Sequence, residues 1–214
     1  TGGSIDAILV THTHRDHSPA AKALAQASGA ALLGRTAMVN ERNDSSFVPT
    51  RQLDDGDVVR IGNLQLRALH TPGHASNHLC YVLEAAQLLF SGDHLMQGST
   101  VVIAPPDGHM TSYLNSLRRL QGEAIDGIAP GHGEVIQSAQ DEIARIIAHR
   151  LRREAKVLSA LTHEPGTLDT LVTAVYDDVD ARVHALAKAS LHAHLIKLQE
   201  DGLADHEDGV WRLR

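Results

Sequence analysis

The chain has 214 residues, a formal charge of −7, 3% aromatic residues and a single cysteine. That length can bury a real core and hold one large domain, or one medium and one small; a lone cysteine excludes an intramolecular disulfide, and no run of ~20 apolar residues offers a membrane span. The acidity and the scarcity of aromatic rings for base stacking weigh against a phosphate-backbone track, since Arg118-Arg119 and the arginines of residues 150–153 are short clusters on helical stretches.

In chain order, Thr1-Gly2-Gly3-Ser4 leads into the apolar residues 5–10, read as a buried strand. With no Met and no charged-then-apolar leader ahead of that strand, the natural protein is expected to begin upstream. Residues 12–17 follow as His-Thr-His-Arg-Asp-His. Pro19–Ser28 reads as an Ala-rich helix stopped by Gly29, and residues 30–33 as a short strand. Residues 57–61 and 64–69 pair across Gly62-Asn63 as a hairpin, which runs into Thr71-Pro72-Gly73-His74. Strands at 79–83 and 88–90 form another pair, with Cys80 as a packing residue inside the first and Gly92-Asp93 just beyond the second. A helix over 112–120 precedes a strand at 125–129, which ends at Pro130-Gly131-His132-Gly133.

From about residue 139 the character changes to helix, with Ile143, Ile146, Ile147, Leu151 and Leu158 on one stripe. A short helix at 167–176, a longer one at 181–200 and a terminal strand or hairpin at 210–213 follow. Helix, helix, helix and strand is the layout of a winged helix. Two domains are therefore expected, at residues 1–138 and 139–214.

The chemistry lies at the strand ends. His12, His14, Asp16 and His17 place four potential ligands within six residues, and imidazole nitrogen with carboxylate oxygen suits zinc at roughly 2.0–2.2 Å. His74, Asp93 and His132 each close a later apolar run beside Gly or Pro, which lets the chain turn sharply. Each of those three alone reads as an ordinary turn. Two cations about 3.5–4 Å apart can share a water, lower its pKa toward ~7 and supply hydroxide as the nucleophile. Asp16 can orient that hydroxide or accept its proton. The acid that would protonate a leaving group is less obvious, with His109 and His78 as candidates.

The ordered set His12, His14, Asp16, His17, His74, Asp93 and His132 resembles the five metal-binding motifs of the metallo-β-lactamase superfamily, over roughly residues 5–135. The resemblance implies an α/β fold, an αββα sandwich whose N-terminal strands are missing, followed by a small mostly helical winged-helix-like domain. It also implies two Zn2+ per chain, with Mn2+ or Fe2+ as substitutes. His12, His14 and His74 would hold one ion, Asp16, His17 and His132 the other, and Asp93 would bridge them. Residues 186–198 resemble the C-terminal module of the β-lactamase-like protein 2 family, a branch that includes an endoribonuclease selective for single strands.

The expected function is thus a dinuclear zinc hydrolase acting on single-stranded RNA; the alternatives are a glyoxalase II-like ester or thioester hydrolase and a non-catalytic, metal-stabilised DNA-binding protein. The helix after His184 carries mostly Ala, Leu and His rather than the Arg, Asn or Gln that read base edges, so sequence-specific duplex recognition is not expected of it. It is expected instead to cover the active-site rim or to mediate a homodimer. His184, His192 and His194 are read as surface or packing residues, no membrane partner is expected, and the location is expected to be cytoplasmic.

Overall fold

The computed structural model describes residues 3–38 and 40–214; Thr1 and Gly2 of the N-terminal lead lie outside it. Two sheets face one another. The first is parallel, in the order β1 (Ala7–Leu9), β2 (Ala31–Gly34), β3 (Arg51–Gln52). The second holds β4 (Val58–Ile61), β5 (Leu64–His70), β6 (Leu79–Leu83), β7 (Leu88–Gly92) and β8 (Gly127–Pro130) in that order, antiparallel until β8 joins β7 in parallel.

Strand alternation builds the layers. Along β6, Leu79 and Tyr81 point into the space between the sheets, where they meet Leu33, Leu53, Val59 and Ala68. Cys80 and Val82 point the other way, onto α2 (Met110–Gln121) and α3 (Ala139–His163) through Tyr113, Leu117, Ile143 and Ile146. A strand buried on both faces reads as a continuous apolar run, as residues 79–83 do. On the outer side of the first sheet, Ala21 of α1 (Pro19–Ser28) packs with Val10, Leu32 and Phe47. The order is helix, sheet, sheet, helix.

The 25-residue α3 belongs to two cores. Ala139, Ile143 and Ile146 lie in the core shared with the second sheet, whereas Val157 and Leu161 lie in a second core with Leu171, Val175, Leu191, Leu195 and Trp211. That second core gathers α4 (Leu168–Val175), α5 (His184–Glu200) and the hairpin of β9 (Ala204–Glu207) and β10 (Val210–Leu213). Ala193 of α5 reaches back into the first core, so α5 is packed on more than one side. That explains its Ala- and Leu-rich composition. His194 is fully buried, His192 lies against Trp211, and His184 meets the Tyr176 carbonyl at 3.1 Å.

The two-residue β3 was not anticipated from the sequence: Arg51 and Gln52 are both exposed and carry no alternation to read. The first strand is also shorter than its apolar run, because pairing with β2 covers only Ala7–Leu9. No helix among the described residues is long and apolar enough to cross a membrane.

Candidate metal centre

All seven expected ligands converge at one edge of the sandwich. His12, His14 and His74 form one group and Asp16, His17, Asp93 and His132 another, the ligand atoms of each lying within 4.8 Å of one another. The first motif follows β1, where the Val10 N–H donates to the Leu33 carbonyl and the Leu79 N–H to the Thr11 carbonyl. The chain then turns, with the His17 N–H donating to the His14 carbonyl, so that His12 and His14 point one way and Asp16 and His17 the other.

His74 and Asp93 owe their places to glycines. Gly73 has φ 143°, and a Cβ there would stand 2.3 Å from Tyr113 Cα, so only glycine lets the loop lie on α2. Gly92 has φ 49°, and a Cβ there would meet His78 Nε2 and the Thr11 side chain at 2.8 Å. His132 follows β8, in a loop tied to Gly92 by the Gly131 N–H.

Three ring nitrogens meet in the first group. His14 Nδ1 is 3.0 Å from His12 Nε2 and 2.9 Å from His74 Nε2. The Val102 carbonyl can only accept, so His74 Nδ1, 2.9 Å away, carries the proton and Nε2 presents a bare lone pair. Burial, then the neighbouring His14, lower the His74 pKa to about 4. Burial and the surrounding histidines push His12 far lower still. Burial also lowers His14, against the opposing pull of Asp107, Asp93 and Asp16. At neutral pH this is a nest of uncharged imidazoles with lone pairs converging, and ligands about 2.1 Å from one cation stand about 3–3.4 Å apart.

The second group is different. His17 Nε2 is 3.2 Å from Asp93 Oδ1 and 3.6 Å from Asp16 Oδ2, while His132 Nε2 is 3.3 Å from Asp16 Oδ2 and 3.5 Å from Asp93 Oδ1. Burial works against a charge on His17, but Asp93 and Asp16 override it and raise its pKa. Burial likewise opposes the Asp93 charge, and His17, His74 and His132 hold its pKa down nonetheless. His17 Nε2 and Asp93 Oδ1 are buried close together, yet neither finds a hydrogen bond of good alignment. Orphaned donor atoms of this kind, with imidazole and carboxylate chemistry and no thiolate, fit divalent zinc, manganese or iron.

The structure adds a brace that the sequence reading missed. Thr13 Oγ1 donates to Asn43 Oδ1 and Asn77 Nδ2 donates to Thr13 Oγ1. Asn43 Nδ2 in turn donates to Asp107 Oδ2, and Asp107 Oδ1 accepts the Ser76 N–H. This buried network fastens the first motif to the loops bearing His74, through partners up to 64 residues apart, a separation that leaves no local signal. The two histidines offered as acids are engaged elsewhere. His109 caps α2 through Ser112 and meets Glu200 at 2.7 Å, and His78 is buried behind His12 with Nδ1 3.0 Å from Thr71 Oγ1.

Comparison with known proteins agrees with this geometry. The family model of the metallo-beta-lactamase superfamily matches residues 1–132, and that of the beta-lactamase associated winged helix domain matches residues 167–211. An atrochrysone carboxyl ACP thioesterase of Aspergillus novofumigatus is 30% identical over 208 residues, spanning 91% of this chain and 62% of its own length. A beta-lactamase-like protein 2 homolog of Caenorhabditis elegans is 28% identical over 211 residues, spanning 96% of this chain and 69% of its own. The crystal structure of a beta-lactamase domain protein from Burkholderia ambifaria shares the fold with a TM-score of 0.82, covering 100% of this chain and 75% of that one at 23% identity. The chain spans less than two thirds of the length of the thioesterase relative. With its sandwich, its clustered strand-end ligands and its helical C-terminal module, the chain belongs to the metallo-β-lactamase superfamily and carries that family's associated winged-helix domain.

Proposed function

We propose that the chain is a two-metal hydrolase of acyl thioesters. The observation that carries this reading is the placement of Asp93. Its Oδ1 faces His17 and His132, while its Oδ2 lies 3.7 Å from His74 Nε2, so one carboxylate addresses both donor groups. His12, His14 and His74 would hold one ion, Asp16, His17 and His132 the other, with Asp93 between; zinc suits the donors best, with manganese or iron as substitutes. Ions held there supply a Lewis acid for the carbonyl oxygen and activate water near neutral pH.

Asp16 is the most open of the seven, with its side chain 61% exposed, and in this reading would take a proton from attacking water and orient it against the substrate. The substrate class follows from what the site offers the leaving group. A thiolate, with a parent pKa of about 8.5, departs without a strong acid. A sugar alkoxide needs a proton, and His109 and His78 are committed to other contacts. The net charge of −7 and the thioesterase name of the Aspergillus relative point the same way, which reverses the order expected from the sequence, where single-stranded RNA came first.

The test measures thiol release from an S-acyl N-acetylcysteamine by zinc- or manganese-loaded protein, with metal content counted by mass spectrometry. Asp93→Ala is expected to lose both ions and to lower turnover by more than the ~100-fold that loss of an outer partner costs. Retention of two ions in Asp93→Ala would overturn the bridging role. Cleavage of unstructured RNA, but not of thioesters, by the metal-loaded wild type would overturn the substrate class.

A further inference from the structure

A cleft lined by none of the seven candidate ligands opens where residues 100–102 meet α3 and α5. Its apolar walls are Val101, Val102, Tyr176, Val179, Val183 and Leu186, around a space of about 140 Å³. That is close to the size of an apolar cavity able to hold one benzene ring. Leu186 and Val183 are 59% and 45% exposed, so the mouth is apolar and open to solvent.

Arg150 also lines this cleft, and it is the unusual group there. The residue is only 3% exposed. Its Nη2 donates to the Val101 carbonyl, and its guanidinium lies 5.3 Å from the centre of the Tyr113 ring. Its Nε is buried without a partner. Arg153, on the same helix, pairs with Asp178 at 2.8 Å, and Arg67 pairs with Glu84 and Glu123. Among the described residues no carboxylate pairs with Arg150. A buried cation is ordinarily paired, because removing it from water is costly. The local field is felt by His149 in the same wall, which burial, and then Arg150, Arg153 and Arg152, bring down to about 4. His149 is therefore neutral near pH 7 and adds no second charge.

We propose that this cleft binds a small organic monocarboxylate, its acid group on the Arg150 guanidinium and an apolar body of about one ring against Val101, Val179 and Leu186. A monoanion matches the single unpaired guanidinium, whereas a phosphate dianion would bring excess charge into apolar walls. Two hydrogen bonds link the cleft to the candidate metal centre. Val102, in the cleft wall, accepts the His74 Nδ1 proton, and Tyr113, beneath Arg150, donates to the carbonyl of His94, next to Asp93. The binding site stands independently of the substrate class assigned above.

Benzoate and its neutral analogue benzyl alcohol are the probes, titrated calorimetrically into the full chain, once zinc-loaded and once stripped with chelator. The variants are Arg150→Gln and Ala187→Phe; the second narrows the cleft from α5 while keeping the arginine at 150, and decides the matter if the first does not fold. Benzoate is expected to bind with or without zinc, and more tightly than benzyl alcohol. Either variant should weaken it by at least about tenfold, the factor lost with one charge-assisted hydrogen bond. Benzoate binding that disappears with zinc and ignores both variants would place the acid on the metals and overturn the proposal. So would equal binding of the alcohol, or no binding to the folded wild type.

Discussion

Replacing Gly73 with alanine tests how His74 is held. A Cβ at that position would lie 2.3 Å from Tyr113 Cα and 2.5 Å from its N and Cβ atoms, all belonging to α2. Carbon atoms in contact prefer about 3.5–4.0 Å, so the loop or the first turn of α2 must yield by about 1 Å. The backbone adds strain, because φ is 143°. Overpacking and the unfavourable φ together cost about 3 kcal/mol, or about 6–12 °C in Tm for a chain of this size. His74 is the next residue, and a displacement of ~1 Å at a reacting centre costs about 100-fold in rate. The control is Gly29→Ala. Gly29 has φ 74° but nothing within 4 Å of the added Cβ, so it carries the backbone cost alone, about 1–2 kcal/mol for an L-residue in the left-handed region. Calorimetry on metal-loaded protein, with metal content and thioester turnover measured in parallel, reads all three effects. Equal losses of Tm in the two variants, with turnover intact in Gly73→Ala, would refute the close-packing argument.

Two further outcomes follow from the buried polar groups. Asn43→Ala removes the acceptor of the Thr13 hydroxyl and the donor to Asp107 Oδ2, and is expected to cost about 1–3 kcal/mol in urea unfolding and to weaken metal binding about 10–100-fold; unchanged metal affinity would show that the network does not brace the candidate ligands. Arg67 donates to Glu123 and holds its pKa below the ordinary 4.5, against the effect of burial. A depressed carboxylate stabilises the fold above its unfolded pKa, and that contribution fades as the pH falls through the folded value. Metal-free Glu123→Gln is therefore expected to be less stable than wild type at pH 7, with the gap closing as the pH falls below 4.5. A constant gap across that range, measured by denaturant midpoints, would contradict the pairing.

Much of this molecule is legible along the chain because its chemistry sits where apolar runs stop. The runs before His12, His74, Asp93 and His132 become β1, β5, β7 and β8, and each releases its candidate ligand at the same edge of the sandwich. The stripe on α3 was readable only in part: Ile143 and Ile146 are buried as expected, but Leu151 is 40% exposed and the buried face continues through Arg150, Arg153, Val157 and Leu161, where two arginines break the apolar period. Exposed Arg51 and Gln52 impose none, so β3 left no trace. α5 also defeats a reading by face, because it is apolar on several sides and is shared between two cores.

The sequence by itself determined which residue types gather and in what order along the chain, since ligand chemistry and strand ends are local properties. Only the tertiary structure decided that Asp93 turns one oxygen to each donor group and that Asn43 and Asp107 brace the first motif. It also decided that Arg150 is buried without a counter-charge beside an open cleft. Each of those facts depends on distances of a few ångströms between segments far apart in the chain, set by how the layers pack rather than by any pattern within one of them.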